Sequence, residues 1–247
     1  MAALTTPNYT RFDLELFELC HYGEVMTYET PEYHPAFEEY CEAIFELAED
    51  DLDVIQARIA ERLEVSRPAV SEMIRKMERE GLVSSEGGQI ALTKDGQSLA
   101  TRVVRRHRIA ERFLTDVLGL SWTQAHHEAG RWEHIISSDV ETAMVKLLEN
   151  PTTCPHGNPI PGSEYEPAEH KALQEIEAGD SFTVQRIPEE LEYREGMLEF
   201  LEASALIPGN SGTVTSRSPE GTVTVEIDGN FVGVGQFACE RILVSAS

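Results

Sequence analysis

The chain has 247 residues, 41% of them hydrophobic, enough to bury more than one core, so two or three domains are expected. No apolar run approaches a membrane span, the start MAALTTPNYTRFDLELF is no secretory leader, and four scattered cysteines (Cys20, Cys41, Cys154, Cys239) form no CxxC pair; a membrane partner, a structural zinc knuckle and a disulfide framework are set aside, and a reducing cytoplasm is expected. The net charge of −24 argues against nucleic acid as a whole-molecule average, but residues 1–57 carry 14 acids and one base, residues 58–112 carry 12 bases and 8 acids, and residues 113–247 carry 7 bases and 22 acids, so one segment is positive.

Residues 1–33 form an acidic extension in which ELFELCHYGEVM has helical character. AFEEYCEAIFELAE, residues 36–49, places Phe37, Tyr40, Cys41, Ile44, Phe45 and Leu47 on a helix face, broken by Asp50, Asp51 and Asp53. VIQARIAERL, residues 54–63, predicts a second short helix and Glu64-Val65 a turn. Ser66 is an N-cap with Pro68 in the first turn, before AVSEMIRKMERE and a Gly81 C-cap. LVSSEGGQIALT alternates around Gly87-Gly88 and predicts a hairpin. Helix, helix-turn-helix and hairpin in this order describe a winged helix, and it coincides with the positive segment.

Thr93 or Lys94 starts a long helix to about Val117, and residues 121–149 hold one or two more. Residues 150–168, with five prolines and two glycines, are expected to be a linker, and residues 169–178 a short helix. SFTVQRI, GTVTSRS, GTVTVEI and FVGVGQ predict short strands with turns at Pro219-Glu220-Gly221 and Asp228-Gly229-Asn230, a small barrel with one helix over 190–205. The expected domains are 1–33 (extension), 34–102 (winged helix-turn-helix), 103–150 (helical, dimerising and metal-binding), 151–177 (Pro-rich linker) and 178–247 (barrel).

Chemistry concentrates in RRHRIAERFLTDVLGLSWTQAHHEAGRWEHII, residues 105–136. His107 and Glu111 are four apart and share a helix face, as roughly do His126 and His134, with Glu133 beside the latter. Two such faces in a packed helix pair suit a divalent cation held by nitrogen and oxygen. A single His/Glu pair is ordinarily a surface pair; His127, Glu128 and Glu141 fit a solvated face. Lysine numbers four against 16 arginines, a composition that suits a cytosol of high salt and equally an acidic mesophile protein.

The strings ARIAERLEVSRPAVSEMIRKMEREGLV, RRHRIAERFLTDVLGL, HHEAGRWEHI and GNPIPG resemble the diphtheria toxin repressor family of metal-dependent transcriptional repressors, over residues 36–162. The C-terminal strands resemble the SH3-like, FeoA-type domain of its longer members. The resemblance implies a mainly α homodimer with a winged helix-turn-helix N-terminal domain, an α-helical dimerisation domain and a small SH3-like β-barrel. It implies an ancillary metal site at His107, Glu111 and His126. It implies an activating site at Glu133, His134, a backbone carbonyl at Gly130, and Glu39 and Glu42 of the first helix. Glu192 or Glu195 matches the barrel ligand of relatives.

The chain departs from both branches of that family. The iron branch has Met at the Glu39 position and Cys at Gly130. The manganese branch has carboxylates at Glu39 and Glu42 but Glu at Gly130. Cys154 and His156 are available to complete the depleted site. The carboxylates favour Mn(II) slightly over Fe(II).

The recognition helix runs from Ser66 to Arg79. Ser66 and Pro68 match sugar-phosphate or thymine contacts, Pro68 and Ala69 offer apolar surface to thymine, and Ser71 lies on the same helix. Glu72, where the iron branch has Gln, accepts from cytosine or repels phosphate. Arg67, Arg75, Lys76 and Arg79 are phosphate candidates, with Arg75 and Arg79 pairing Glu72 and Glu78 as the alternative. Ser84, Ser85 and Gln89 are expected to add contacts from the wing. The expected partners are double-stranded operator DNA and a second copy, with no small organic substrate. Two rivals remain: a helical di-metal enzyme, although the Glu-x-x-His motif such sites repeat is not repeated here, and a metal-independent redox regulator acting through Cys41 or Cys154.

Overall fold

The computed structural model describes residues 35–246. The extension over 1–33 and its expected helix lie outside the described residues. Helix α1 (Pro35–Glu49) buries Tyr40, Cys41, Ile44 and Leu47, the face its periodicity predicted. Helix α2 (Gln56–Arg62) and helix α3 (Arg67–Arg79) follow. Ser66 caps α3 by accepting from the Ala69 amide at 3.4 Å, and Val70, Ile74 and Met77 turn its other face inward. Strands β1 (Val83–Glu86) and β2 (Gln89–Leu92) pair in antiparallel register about Gly87 and Gly88, whose positive φ angles of 61° and 90° close the two-residue turn. A winged helix results.

Helix α4 (Lys94–Asp116) begins at Thr93, whose hydroxyl accepts from the Gly96 amide at 3.2 Å and donates to the Gly81 carbonyl. Gly96 is required here: an added Cβ would meet the Leu82 carbonyl oxygen at 2.0 Å. Helix α5 (Trp122–Trp132) opens with a capping box at Ser121 and Gln124, and helix α6 (Ser138–Leu147) is capped by Ser137. Ile109, Ala110, Leu114, Ala125, Ala129, Ile136, Met144 and Ile160 form the core of this helical region.

The C-terminal part is a six-stranded antiparallel sheet in the order β3-β8-β4-β5-β6-β7. Its strands are β3 (Lys171–Ala172), β4 (Ser181–Arg186), β5 (Ser211–Arg217), β6 (Val223–Ile227), β7 (Asn230–Val234) and β8 (Leu243–Ala246). Short helices α7 (Glu189–Glu192), α8 (Met197–Ala203) and α9 (Gln236–Cys239) interrupt it. Trp122 of α5 inserts into the same core as Phe182, Val184, Leu191 and Val225, so the sheet domain is packed on the helical region.

Three expectations change. The Pro-rich stretch is no free tether over its first half: Cys154, Pro155, His156, Gly157, Asn158 and Ile160 are buried, and the Cys154 amide donates to the Asn158 carbonyl. The helix expected over 169–178 is β3 followed by one 3-10 turn at Leu173–Glu175, because Ala172 pairs with Leu243 of β8. The helix expected over 190–205 is split into α7 and α8 by Gly196, which takes a positive φ of 73°.

Candidate metal centre

One turn of α4 sets His107 and Glu111 on its inner face, with the His107 Nε2 3.1 Å from Glu111 Oε1. The neighbouring helix α5 brings His126 Nδ1 to 3.0 Å from the same oxygen. At the end of α5, Glu133 reaches back so that its Oε2 lies 2.5 Å from His107 Nδ1 and its Oε1 3.2 Å from His134 Nε2. From α1, Glu38 and Glu39 close on His134 at 2.7 Å (Nδ1) and 3.0 Å (Nε2). Glu42, one turn further along α1, places Oε1 4.0 Å from His107 Nδ1.

The far side comes from the Pro-rich turn and from α7. His156 Nδ1 lies 2.9 Å from Glu192 Oε2 and 3.6 Å from Glu111 Oε2. Cys154 Sγ is 3.8 Å from the same imidazole nitrogen. His126 Nδ1 is 3.4 Å from Glu192 Oε2. Asn158 donates to Glu192 Oε1 at 2.7 Å and accepts from Arg186, which fixes the carboxylate. The result is a continuous ribbon of carboxylates and imidazoles joining α1 to α7.

The electrostatics are those of an acid-rich, dry site. Burial opposes charge on His107, yet Glu111 and Glu133 outweigh it and hold its pKa well above the usual imidazole value. His134 rises to about 10 in spite of burial, because Glu38 and Glu39 hydrogen-bond it. Burial would raise Glu111, but His156 and His107 pull it well below the carboxylate range. Burial, then Glu133 and Glu46, push Glu42 well above that range. Imidazolium protons thus carry the positive charge the acids demand.

The residues fit a divalent cation on a further ground. Glu42 Oε1, Glu192 Oε2 and His156 Nε2 are shielded from solvent without a hydrogen-bond partner. A buried polar atom with no hydrogen-bond partner is costly, and two of these three are carboxylate oxygens, the donor type that hard and borderline cations take. Among the described residues, four groups each bring three ligand atoms within 4.8 Å of one another: His107, Glu111 and His126; Glu42, His107 and Glu133; Glu39, Glu133 and His134; Glu111, Cys154 and His156.

Residues 33–89 match the family described as the iron dependent repressor N-terminal DNA binding domain, and residues 93–162 its metal binding and dimerisation domain. Residues 171–246 match the FeoA domain. The iron-dependent repressor IdeR of Mycobacterium tuberculosis is 40% identical over 205 residues, covering 78% of this chain and 89% of that relative. This chain belongs to the iron-dependent repressor family. The diphtheria toxin repressor of Corynebacterium diphtheriae is 48% identical over 126 residues, 51% of this chain and 56% of its own. A manganese-dependent transcriptional repressor solved in complex with manganese superposes with a TM-score of 0.76 at 32% identity, over 85% of this chain and 100% of that one. The chain is a metal-dependent transcriptional repressor.

In the repressor, each helical ligand expected from sequence falls in one of the four groups, but the division into two sites shifts. His107 faces both ends, through Nε2 to Glu111 and Nδ1 to Glu133. Glu42 joins His107 and Glu133 rather than His134. Gly130 stands one turn before His134 with open space where a side chain would begin. Of the two barrel candidates, Glu192 is buried at the end of α7 with Oε2 3.4 Å from His126 Nδ1, whereas Glu195 is exposed in the following turn. Cys154 and His156 reach Glu111 and Glu192, not the Gly130 end. Glu38 was missed; its register one residue before Glu39 was the available signal. Glu141 is not merely solvated: it clamps Arg105 at 2.6 Å and Arg106 at 3.3 Å.

Sequence reasoning also missed Arg108, which is 0% exposed and holds Glu49 of α1 and Glu189 of α7 at 2.6 and 2.9 Å, with the Pro159 carbonyl as a third partner. Arg62 of α2 stacks 3.4 Å over the Tyr193 ring. These contacts fasten the winged helix to the sheet domain. The ligand ribbon borders a cleft of about 600 Å³ between them, lined by Glu39, Glu42, Arg62, His126, Glu192 and Tyr193 among others.

On α3, Ser66, Arg67, Pro68, Ala69, Glu72, Arg75, Lys76 and Arg79 are exposed and Ser71 is half-buried. Among the described residues neither Arg75 nor Arg79 makes an ion pair; Arg75 donates to the Ser71 carbonyl at 3.0 Å. Lys76 lies 4.9 Å over the Phe37 ring, tied back to α1. Gln89 of the wing donates to Asp53 at 3.2 Å.

Proposed function

We propose that this repressor senses Mn(II) or Fe(II), manganese slightly favoured, and grips double-stranded operator DNA as a homodimer when its ligand ribbon is loaded. The reading rests above all on His134, which lies within 3.0 Å of both Glu38 and Glu39 of the winged helix while belonging to the helical region. Glu39, Glu42, Glu133, His134 and the Gly130 carbonyl would hold a cation at one end, and His107, Glu111, His126 and Glu192 at the other. A bound divalent cation supplies positive charge that lets these carboxylates remain ionised side by side. Glu38, itself anchored by Arg102 at 3.3 Å, orients His134.

Because α1 carries three of these carboxylates and packs against α2, which packs in turn against α3, with Lys76 of α3 lying over Phe37 of α1, holding α1 against α4 and α5 fixes the direction of the recognition helix. In a homodimer this sets the separation of two recognition helices toward a multiple of the DNA turn. Arg67, Arg75 and Arg79 would meet phosphates, Pro68 and Ala69 thymine methyls, and Ser66, Ser71, Glu72 and Lys76 the neighbouring sugar-phosphate and base edges. Ile135, 74% exposed, with Leu118 and Leu147, gives the helical region apolar surface for a second copy. The divisions 34–102 and 103–150 go with a sheet domain that begins at β3 (Lys171–Ala172), and the chain acts as a cytoplasmic regulator rather than an enzyme. Neither thiol supports redox sensing: burial and Glu38 push Cys41 up to about 12, and burial with Glu111 pushes Cys154 up to about 11.

The test is operator titration with Mn(II), Fe(II), Co(II) and Zn(II) against chelator at several salt concentrations. Wild type should need metal. Glu133→Gln and His134→Ala should lose at least about tenfold in metal-dependent affinity while keeping native circular dichroism. Operator binding by both variants in chelator, equal to loaded wild type, would overturn the reading.

A further inference from the structure

The cleft of about 600 Å³ beside the ligand ribbon is lined by acids that neither the ribbon nor the fold uses. Glu61 of α2 and Glu64 in the turn after it come from the winged helix. Glu195 in the turn before α8 and Glu199 of α8 come from the sheet domain. All four are exposed, and among the described residues none of them makes an ion pair. The two arginines of the lining do not cancel them. Arg62 is already paired with Glu46 at 2.5 Å, and Arg194 is drawn over the Phe237 ring, 4.1 Å from its centroid. Like charges gathered from two domains around one hollow repel each other, and no cation of the protein relieves them.

What lies at the inner end of the hollow supplies the second observation. Glu42 is 6% exposed and Glu192 5%, both line the cleft, and each has one carboxylate oxygen without a hydrogen-bond partner. The Thr123 hydroxyl on the same wall is likewise unpartnered. Each ligand group that the sensing reading uses reaches the wall through one member. Glu39 does so for Glu133 and His134, Glu42 for His107 and Glu133, and His126 for His107 and Glu111. The remaining ligands of those groups on α4 and at the end of α5 are closed in behind: His107 is 5% exposed, Glu111 1% and Glu133 2%.

We propose that the cleft is the entrance by which hydrated divalent cations reach the ribbon, and that Glu61, Glu64, Glu195 and Glu199 are its collecting rim rather than ligands. The inference rests on the reading of the ribbon as a cation site. Size permits it: six waters at ~30 Å³ each make a hydrated ion of roughly 200 Å³, which the cleft admits without stripping its shell. Charge drives it, because a cleft of one sign between low-dielectric walls focuses the field and raises the local concentration of counter-ions. Water is then exchanged for carboxylate and imidazole only at the inner wall, where Glu42 and Glu192 hold unpaired oxygens. The rim sets how fast the repressor loads, and the ribbon sets how tightly it holds.

The experiment uses the full chain, freed of metal by chelator and mixed rapidly with Co(II), whose visible absorption reports ligation. Glu61→Gln, Glu64→Gln and Glu199→Gln together should slow association about tenfold at low salt and flatten its dependence on ionic strength. Dissociation into excess chelator and the number of ions held at equilibrium should stay as in wild type, because rim charges act mainly on the rate of arrival. A control with equal loss of charge at exposed positions outside the cleft, Glu166→Gln, Glu169→Gln and Glu220→Gln, should load at the wild-type rate. Unchanged association in the rim variant, equal slowing in the control, or fewer ions held by the rim variant would each overturn the entrance. The first two leave the sensing reading standing, since the ribbon still fills. A wild type that takes up no Co(II) overturns both.

Discussion

The ligand ribbon has two halves of different origin. His107, Glu111, His126, Glu133 and His134 come from one run of sequence, residues 107–134, folded as α4, α5 and the turn that ends α5. Cys154, His156 and Glu192 come from a Pro-rich turn and a four-residue helix of the sheet domain. The first half is positioned by helix geometry within one core. The second is positioned by docking, through Arg108, Arg186 and Asn158. A helix-borne ligand moves only if the helix moves, whereas a docked ligand depends on polar contacts that a single substitution can remove.

The largest effect should come from the fastening itself. Arg108→Met removes one partner from the buried Glu189 and from the half-buried Glu49, a change that costs on the order of 3–5 kcal/mol. Thermal unfolding in chelator should show an earlier transition. An unchanged melt would mean the docking does not rely on this guanidinium. Next comes Glu111→Gln, in the helical half, which should weaken cation binding by about 10–100-fold at the His107 corner in dialysis. Binding as tight as wild type would remove Glu111 from the ligand set.

A smaller effect is expected from pH. Burial pushes Asp50 up to about 7 against the pull of Arg186, 2.7 Å away. An unfolded aspartate titrates near ~3.9. The folded form therefore binds this proton more tightly, so its contribution to stability is complete below about pH 4 and is lost as pH rises through about 7. Asp50→Asn should flatten that part of the melting profile relative to wild type in chelator; parallel profiles would contradict it. The mildest change is Gly130→Cys. With nothing within 4 Å of an added Cβ, the fold should hold, and the thiolate should move selectivity from Mn(II) toward softer ions in competition dialysis.

The two halves also differ in how far sequence exposes them. Helical spacing marks His107 with Glu111, and the Ser66 and Thr93 caps bound their helices, so the winged helix and the first half were legible without coordinates. Cys154 and His156 were noticed beside GNPIPG but aimed at Gly130, because nothing in a proline-rich run says which way it folds back. Glu192 and Glu195 could not be separated, since the break at Gly196 sits between α7 and α8 and the period runs through it. Arg108 looked like one more base in a basic segment. Its burial follows only from the meeting of α1, α4, the Pro159 carbonyl and α7, which no local pattern encodes.

Trp122, one of only two tryptophans, lies in the sheet-domain core with its ring edge-on to His156, 4.5 Å between centroids. Burial opposes charge on that imidazole, yet Glu192 and Glu111 raise its pKa well above the usual value, so it is cationic when no metal competes. An indole against an imidazolium is dimmed, and one against a neutral, ligated ring is not. The chain thus carries its own lamp: a closed-shell ion such as Zn(II) that displaces that proton would brighten intrinsic emission, whereas open-shell Fe(II) or Co(II) would quench it, so filling of the docked half is read without any dye or label.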